Sequence, residues 1–266
     1  MYGSNKSVVE RNPLKRIAYR LFGEVHIAGR IRGEHVIREI RRMTAFYGRP
    51  ISVLDAGTGR GDLAFYLARE YPYWHITGLE VLEEKTQQVN DVSKAFGLKN
   101  IKFICGDITA VNFHEQFDLV TCTDVLEHID DDVLALARLK SSLKKGRVLL
   151  LTFPSIPQRK HLRIVEWKQK SMGFDRESYG HKREGYSITE ITRKLEKEGF
   201  KNIRCVPTFG FFGTLAYDLF FFIGDNNPNP LVYLMLLPLF MVLGFLDVSL
   251  PIQHGSALMV TAQKPE

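Results

Sequence analysis

The sequence predicts an α/β fold whose centre is a doubly wound, mostly parallel sheet. Short apolar runs alternate with amphipathic helical runs from about residue 51 to residue 207. A glycine-rich loop follows the first strand, and acidic residues stand at the ends of the next two strands. Sites in such sheets lie at the carboxyl ends of the strands, so we look for the functional residues there.

Each element is predicted from its own pattern. The strands are predicted near 51–55, 75–80, 101–105, 117–122, 147–153, 202–207 and 257–262, and the helices between them near 61–71, 83–96 and 130–142. Ser187-Ile-Thr-Glu190 is typical of a capping box and predicts a helix that ends near Gly199. Two further helices precede the sheet. The first carries Leu14, Ile17, Ala18, Leu21 and Phe22 on one face, and the second covers about 33–46.

The length of 266 residues suits one α/β domain with added elements, and 45% hydrophobic residues exclude wholesale disorder. We predict four segments: a basic helical cap at 1–50, a core at 51–208, an apolar helical insertion at 209–253 and a final strand within 254–266. Within the core, residues 155–186 are polar and irregular and are predicted to cover the substrate.

The positive charge is concentrated at the N-terminal end. The chain has a net charge of +6, whereas residues 1–50 alone hold eleven basic and four acidic side chains. This excess indicates an anionic surface as a neighbour, although a solvated helical face has the same composition. The N-terminus lacks the apolar run of a signal peptide, so we expect a cytoplasmic location, at the cytosolic face of a membrane.

Cysteine spacing gives no metal or disulfide pattern. Cys105, Cys122 and Cys205 each fall in a strand-like apolar run, where we expect small buried side chains. No metal site is predicted.

The first strand runs into Asp55-Ala-Gly57-Thr-Gly59-Arg-Gly61-Asp62. Closely spaced glycines between a strand and a helix let the backbone approach a ligand. The dinucleotide fingerprint G-x-G-x-x-G would need a glycine where Asp62 stands, which disfavours NAD. Asp55 suits a cationic amino-acid ligand better than a pyrophosphate, and can act on an ammonium group through the loop or through water.

Two more strand ends carry matching signals. Glu80 closes the second strand, where a carboxylate can accept both hydroxyls of a ribose. Asp107 follows the third strand and can bond an adenine amino group while Ile108 packs on the ring. After the fourth strand comes Thr123-Asp-Val-Leu-Glu127-His128.

Together these residues resemble the class I S-adenosylmethionine (SAM)-dependent methyltransferase family, particularly the branch with ubiquinone and menaquinone biosynthesis enzymes. The motifs that carry the resemblance are D-A-G-T-G-R-G at 55–61, Glu80, G-D-I at 106–108, F-D-L-V at 117–120, L-E-H-I at 126–129 and L-K-K-G at 143–146. It implies a Rossmann-like seven-stranded sheet in the order 3-2-1-4-5-7-6 with the last strand antiparallel. It also implies SAM as cofactor, bound by Asp55, Gly57, Gly59, Glu80, Asp107, Ile108 and Thr123.

Methyl transfer from a sulfonium is an in-line displacement, so the protein mainly aligns and desolvates the reactants. An oxygen nucleophile must also lose a proton, and His128 is the predicted general base. A structural histidine, or a divalent ion bound by Glu127 and His128, are the alternatives. In the resembling family the stretch holding His181, Arg183 and Tyr186 folds over the site, so these residues could orient the substrate; a solvated loop is the alternative.

The apolar insertion separates this chain from the family pattern. Phe211–Ile223 has thirteen residues and Leu231–Leu246 sixteen, whereas a membrane-spanning helix needs about 20. We therefore predict a helical hairpin that lies in the membrane interface together with the basic N-terminal helix. A homodimer interface or a cap on a hydrophobic pocket is the alternative.

The predicted function is methyl transfer to oxygen or carbon of a hydrophobic, lipid-like small molecule, such as a quinone precursor or a polyprenyl compound. A soluble small-molecule methyltransferase with a hydrophobic lid and a non-catalytic SAM-binding membrane scaffold remain open. Thr123-Asp-Val-Leu stands where enzymes that methylate base amino groups have an N/D-P-P-Y/F tetrad, which disfavours a nucleic-acid substrate.

Overall fold

The computed structural model describes residues 1–45, 50–157, 180–223 and 230–266. The strands are β1 (Ser52–Ala56), β2 (His75–Glu80), β3 (Ile101–Cys105), β4 (Phe117–Thr123), β5 (Leu143–Pro154), β6 (Lys201–Thr208) and β7 (Ala257–Gln263). They form one sheet in the order β3-β2-β1-β4-β5-β7-β6. β7 runs antiparallel to both of its neighbours, and the other pairs are parallel. The predicted fold class and strand order are confirmed.

Helices flank this sheet and extend beyond one side of it. They are α1 (Lys6–Val9), α2 (Pro13–Phe22), α3 (Ile27–Thr44), α4 (Asp62–Glu70), α5 (Glu83–Phe96), α6 (Asp132–Ser142), α7 (Ile188–Lys197), α8 (Phe211–Phe222) and α9 (Pro230–Ser249). The Ser187 hydroxyl accepts a hydrogen bond from the Glu190 backbone N–H at 3.2 Å, which confirms the predicted cap of α7. Residues 158–179 of the predicted substrate cap lie outside the described residues.

The sheet separates two apolar cores, because alternate residues of each strand point to opposite faces. Leu54 and Val120 pack on one side, in the core that includes side chains of α6 and α7. Val53 and Leu119 pack on the other, against α3 and α4. All four are essentially inaccessible, so the central strands form a rigid base for the loops at their carboxyl ends.

A third core joins the N-terminal cap to the apolar insertion. Ile27 and Ile31 of α3 pack with Phe220 of α8 and with Phe240 and Leu243 of α9. The sequence pattern predicts the start of α3 only at residue 33, because Gly29 and Gly33 weaken the helical signal. The long-range contact with α8 and α9 stabilises six earlier residues as helix.

The cysteine prediction is only partly right. Cys122 is buried in β4, whereas Cys105 is exposed at the end of the edge strand β3, and all three thiols are free. A residue of an edge strand is covered by a neighbouring strand on one side only, whereas a residue of a central strand is covered on both sides.

Asp247 connects α9 to two other helices. Its carboxylate lies 3.0 Å from His35 Nε2 on α3 and accepts a hydrogen bond from the Gly213 N–H at 2.8 Å. Asp247 is 1% exposed, so these two contacts are shielded from water.

We expect Asp247→Ala to lower the free energy of unfolding by about 2–4 kcal/mol, because His35 and the Gly213 N–H are left buried and unpaired. Urea unfolding would measure it. Ser249→Ala, at an exposed position of the same helix, is the control and should change stability by less than about 0.5 kcal/mol. Equal stabilities of the two variants would contradict this role of Asp247.

Among the described residues we find no helix with the length and apolar character that a membrane crossing requires.

Candidate active site

The glycine-rich loop between β1 and α4 is built for close approach. Gly57, Gly59 and Gly61 all adopt left-handed φ values, of 75°, 57° and 74°. A Cβ at Gly57 would lie 2.3 Å from Val125 Cγ2, so this glycine is needed for packing. A Cβ at Gly59 would meet nothing within 4 Å, so this glycine borders open space. The loop therefore presents bare backbone to a ligand.

Asp55 holds this loop in place. Its carboxylate accepts hydrogen bonds from the Thr58 hydroxyl at 2.7 Å and the Thr121 hydroxyl at 2.8 Å. Burial raises the pKa of Asp55, while these hydroxyls oppose the rise. The contacts match the indirect role predicted for Asp55, in which it acts through an ordered loop.

Glu80 joins the end of β2 to the same loop. Its Oε2 accepts from the Gly59 N–H at 3.0 Å and its Oε1 from the Leu82 N–H at 3.2 Å. Each carboxylate oxygen can accept a second hydrogen bond, which leaves capacity for two hydroxyl groups.

The other predicted cofactor residues lie along the same edge of the sheet. Asp107, exposed after β3, accepts from the Thr109 N–H at 2.7 Å, and Ile108 beside it is buried. Thr123 is half-buried at the end of β4. Because β3, β2, β1 and β4 are adjacent in the sheet, these residues form a continuous row with the loop. Their roles in binding stay predictions.

This row fits SAM. Open space beside Gly59, an anchored carboxylate at Glu80 and an exposed one at Asp107 offer an approach to the backbone and acceptors for hydroxyl and amino groups. A family model described as a methyltransferase domain matches residues 49–204, more than half of the chain. The chain belongs to the class I SAM-dependent methyltransferases. SAM is the cofactor of this methyltransferase.

Known methyltransferases match part of this chain. The methyltransferase is 28% identical over 100 residues to a probable (S)-tetrahydroprotoberberine N-methyltransferase 2 of Papaver bracteatum, covering 38% of this chain and 28% of the relative. It is 25% identical over 133 residues to the ubiquinone biosynthesis O-methyltransferase of Rickettsia canadensis (strain McKiel), covering 49% of this chain and 54% of the relative. The chain thus matches about half or less of the length of either relative.

The fold also matches solved structures. Phosphoethanolamine N-methyltransferase 2 of Haemonchus contortus, solved with SAM, superimposes with a TM-score of 0.59 at 15% identity. The match covers 96% of this chain and 60% of that one. At this identity the likeness establishes the fold.

Beyond the loop, three proton-accepting groups come together. Ligand-type atoms of Glu127, His128 and His181 all lie within 4.8 Å of one another. Glu127 is 1% exposed, and burial, followed by the nearby Asp124 carboxylate, raises the pKa of Glu127 to about 8. Its Oε2 has no hydrogen-bond partner among the described residues. His128 Nδ1 lies 3.1 Å from the Gly180 carbonyl oxygen.

The Glu127 carboxyl group can take a proton from a nucleophile in its ionised form, which prevails above about pH 8, and the imidazoles of His128 and His181 are alternative proton acceptors. One carboxylate and two imidazoles could equally hold a divalent ion, as in the alternative for Glu127 and His128. The absence of a metal stays a prediction, as does the role of His128 as base.

Two of the three predicted substrate residues bond to the protein itself. Tyr186 is fully buried, and its hydroxyl donates to Asp132 Oδ2 at 2.8 Å. Arg183 pairs with the same carboxylate and donates to the Ile129 carbonyl oxygen at 2.7 Å. In this conformation Tyr186 has no surface for a substrate. Both residues anchor the segment that carries His181, which is half-buried beside His128 with ring centroids 4.4 Å apart.

The sequence patterns did not indicate an ion pair at the end of β4. Arg32 of α3 pairs with Asp124, whose φ is 52°. Asp124 also accepts from the Thr152 hydroxyl at 2.8 Å. The Arg32 side chain keeps 35% of its surface exposed beside this carboxylate. No local pattern links residues so far apart in the chain.

Proposed function

We propose that this methyltransferase transfers the SAM methyl group to oxygen or carbon of a hydrophobic, lipid-like small molecule at a membrane surface. Quinone precursors and polyprenyl compounds are examples of this class. The observation that carries the proposal is a pair of helices, α2 and α9, whose apolar side chains face outward. The other contacts described below are consistent with it.

α2 has the features of an interfacial helix. Its apolar side chains Ile17 and Leu21 are 52% and 62% exposed, so this face does not pack on the core. Lys15, Arg16 and Arg20 are exposed on the same helix, and we find no ion-pair partner for them among the described residues. Several N-terminal cations outside α2 are ion-paired, namely Lys6, Arg30, Arg32, Arg41 and Arg42. The available positive charge is therefore mainly on α2. An amphipathic basic helix of this kind binds anionic lipid surfaces.

α9 presents an apolar stripe on its outer face. The exposed side chains recur at helical spacing and are Val232, Met235, Leu239, Val242 and Phe245. Phe22 of α2 and Phe245 of α9 line the same cavity of about 580 Å³, so the two helices lie on one side of the molecule. Large exposed apolar surfaces of soluble domains mark binding sites for proteins or membranes. A basic helix beside this one favours the membrane.

The acid–base cluster supports an acceptor that must lose a proton. When bound, SAM supplies an electrophilic methyl group on its sulfonium. The loop at Gly59 and Glu80 would fix the position of that group. Helix α3, which contacts Asp124 through Arg32, and the 180–186 segment, which contacts His128 through Gly180, would help to exclude water. Glu127 or His128 would accept the proton of the nucleophile as the methyl group is transferred.

The named relatives act on nitrogen in plant alkaloids and on oxygen in ubiquinone biosynthesis, according to their names. The second of these agrees with an apolar acceptor and an oxygen nucleophile.

We expect the wild-type protein to co-sediment with vesicles of a 3:1 mixture of phosphatidylcholine and phosphatidylglycerol. Replacing Lys15, Arg16 and Arg20 by Gln should lower the partition coefficient by about 100-fold, because each of the three cations near an anionic surface contributes about 1 kcal/mol. Replacing Met235 and Phe245 by Ser should reduce it by a similar factor through lost apolar burial.

A matched control removes three exposed cations elsewhere: Lys85, Lys102 and Arg193, each changed to Gln. It should bind vesicles as the wild type does. Equal loss in control and test variants, or no co-sedimentation of the wild type, would contradict the membrane proposal. In that event a soluble methyltransferase with α8 and α9 as a hydrophobic lid becomes the better hypothesis. Light scattering would test the other alternative, a homodimer that forms through the apolar stripe of α9.

A further inference from the structure

The N-terminal segment 1–9 contacts the glycine-rich loop through Asn5 and Lys6. Asn5 Nδ2 donates a hydrogen bond to the Arg60 carbonyl oxygen at 2.8 Å. The next residue, Lys6, lies 2.9 Å from Asp62 Oδ2 and also pairs with Glu24. Asp62 is the first residue of α4, directly after Gly61, so both contacts reach the part of the loop that leads into that helix.

Two oxygen atoms in this contact lack a partner. Asn5 Oδ1 and Asp62 Oδ1 are buried and accept no hydrogen bond from any described residue. Asn5 is 3% exposed, and its Nδ2 donates to a carbonyl oxygen. Rotating the side-chain amide by half a turn would therefore place Oδ1 against that carbonyl oxygen and would not give it a donor. A buried acceptor without a donor is unfavourable, so a ligand with N–H groups would stabilise both oxygen atoms.

The charge at this place favours a cation. Among the described residues, Lys6 is the one cation that pairs with the carboxylates of Glu24 and Asp62, so the three groups together carry one negative charge. Burial raises the pKa of Asp62, although Lys6 and, to a smaller extent, the adjacent Asn5 side chain oppose the rise. A second cation beside Asp62 would stabilise its ionised form.

We propose that Asn5 Oδ1 and Asp62 Oδ1 accept hydrogen bonds from the α-ammonium group of SAM. This makes the N-terminal segment 1–9 part of the cofactor site rather than only a cover for it. An ammonium group has three N–H donors and one positive charge, so it satisfies both oxygens and offsets the excess negative charge. The inference depends on SAM as cofactor and is independent of the acceptor and of any membrane contact.

The test compares two ligands by calorimetry: S-adenosylhomocysteine and its analogue without the α-amino group. We expect the wild type to prefer the first by at least about 10-fold, since the analogue cannot make the charge-assisted hydrogen bonds of the ammonium group. In Asn5→Leu this preference should fall about 10-fold, through weaker binding of S-adenosylhomocysteine. The analogue should bind the variant and the wild type equally.

Asn5→Asp separates ligand binding from support of the loop. It keeps an acceptor oxygen and adds a negative charge but loses the donor to Arg60, so the preference for the α-amino ligand should be retained or increased. Asn12→Leu, an exposed asparagine at the start of α2, should leave both affinities unchanged. Thermal unfolding of each free variant checks that it is folded.

Equal weakening of both ligands in Asn5→Leu would overturn the proposal, because it would mean that Asn5 only supports the loop. A preference that falls as far in Asn5→Asp as in Asn5→Leu would also overturn it. Neither outcome depends on methyl transfer, so an unidentified acceptor does not affect the test.

Discussion

Glu80→Ala is expected to weaken SAM binding by at least about 100-fold while the sheet remains folded. The wild-type carboxylate holds the Gly59 N–H at 3.0 Å and the Leu82 N–H at 3.2 Å, and retains capacity for two hydroxyl groups. Hydrogen bonds to a charged group contribute about 1.5–3 kcal/mol each, and about 1.4 kcal/mol corresponds to a factor of ten in affinity. Loss of two ribose contacts therefore predicts a change of this size, measured by calorimetric titration with SAM.

Glu84→Ala is the matched control, since Glu84 lies exposed in the first turn of α5. It should bind SAM as the wild type does, and circular dichroism should show that both variants are folded. An affinity of Glu80→Ala within about threefold of the wild type would exclude Glu80 from the cofactor site.

His128→Ala is expected to lower turnover by about 100-fold or more without weakening SAM binding. A positioned general base contributes about 10²–10⁴ to the rate, and His128 lies with Glu127 and His181 in one cluster beyond the loop. Transfer of a labelled methyl group from SAM into a lipid extract that the wild type labels would measure turnover. Calorimetry measures binding separately. Unchanged turnover would rule out an essential base at this position.

The pH dependence distinguishes Glu127 from His128 within the cluster. Burial raises the pKa of Glu127 to about 8, so its basic form is present above that pH and is lost as pH falls through about 8. If Glu127 takes the proton, wild-type turnover should rise with pH up to about 8, and Glu127→Gln should remove this rise. If the rise persists in Glu127→Gln and disappears in His128→Ala, the base is His128.

The fold and the cofactor class could be predicted from the sequence, because both depend on local patterns. The strand–glycine loop–helix at 52–70 is contiguous, and its glycines at 57, 59 and 61 have the left-handed backbone that only such residues adopt easily. A short apolar run between turn signals is typical of a strand that is buried on both faces, such as β4. These signals lie within about 20 residues of one another, so they can be recognised without knowledge of tertiary contacts.

Contacts between distant residues were decided by the tertiary structure. The sequence shows only that the N-terminal segment has an excess of positive charge. In the folded protein, Lys6 pairs with Asp62 and Arg32 pairs with Asp124, whereas the cations of α2 are exposed. Tyr186, predicted near the substrate, is fully buried against Asp132. The type of a residue does not show whether its charged group or hydroxyl contacts solvent, a ligand or a carboxylate. Its role therefore depends on which residue the chain brings beside it, and that information lies outside any local pattern.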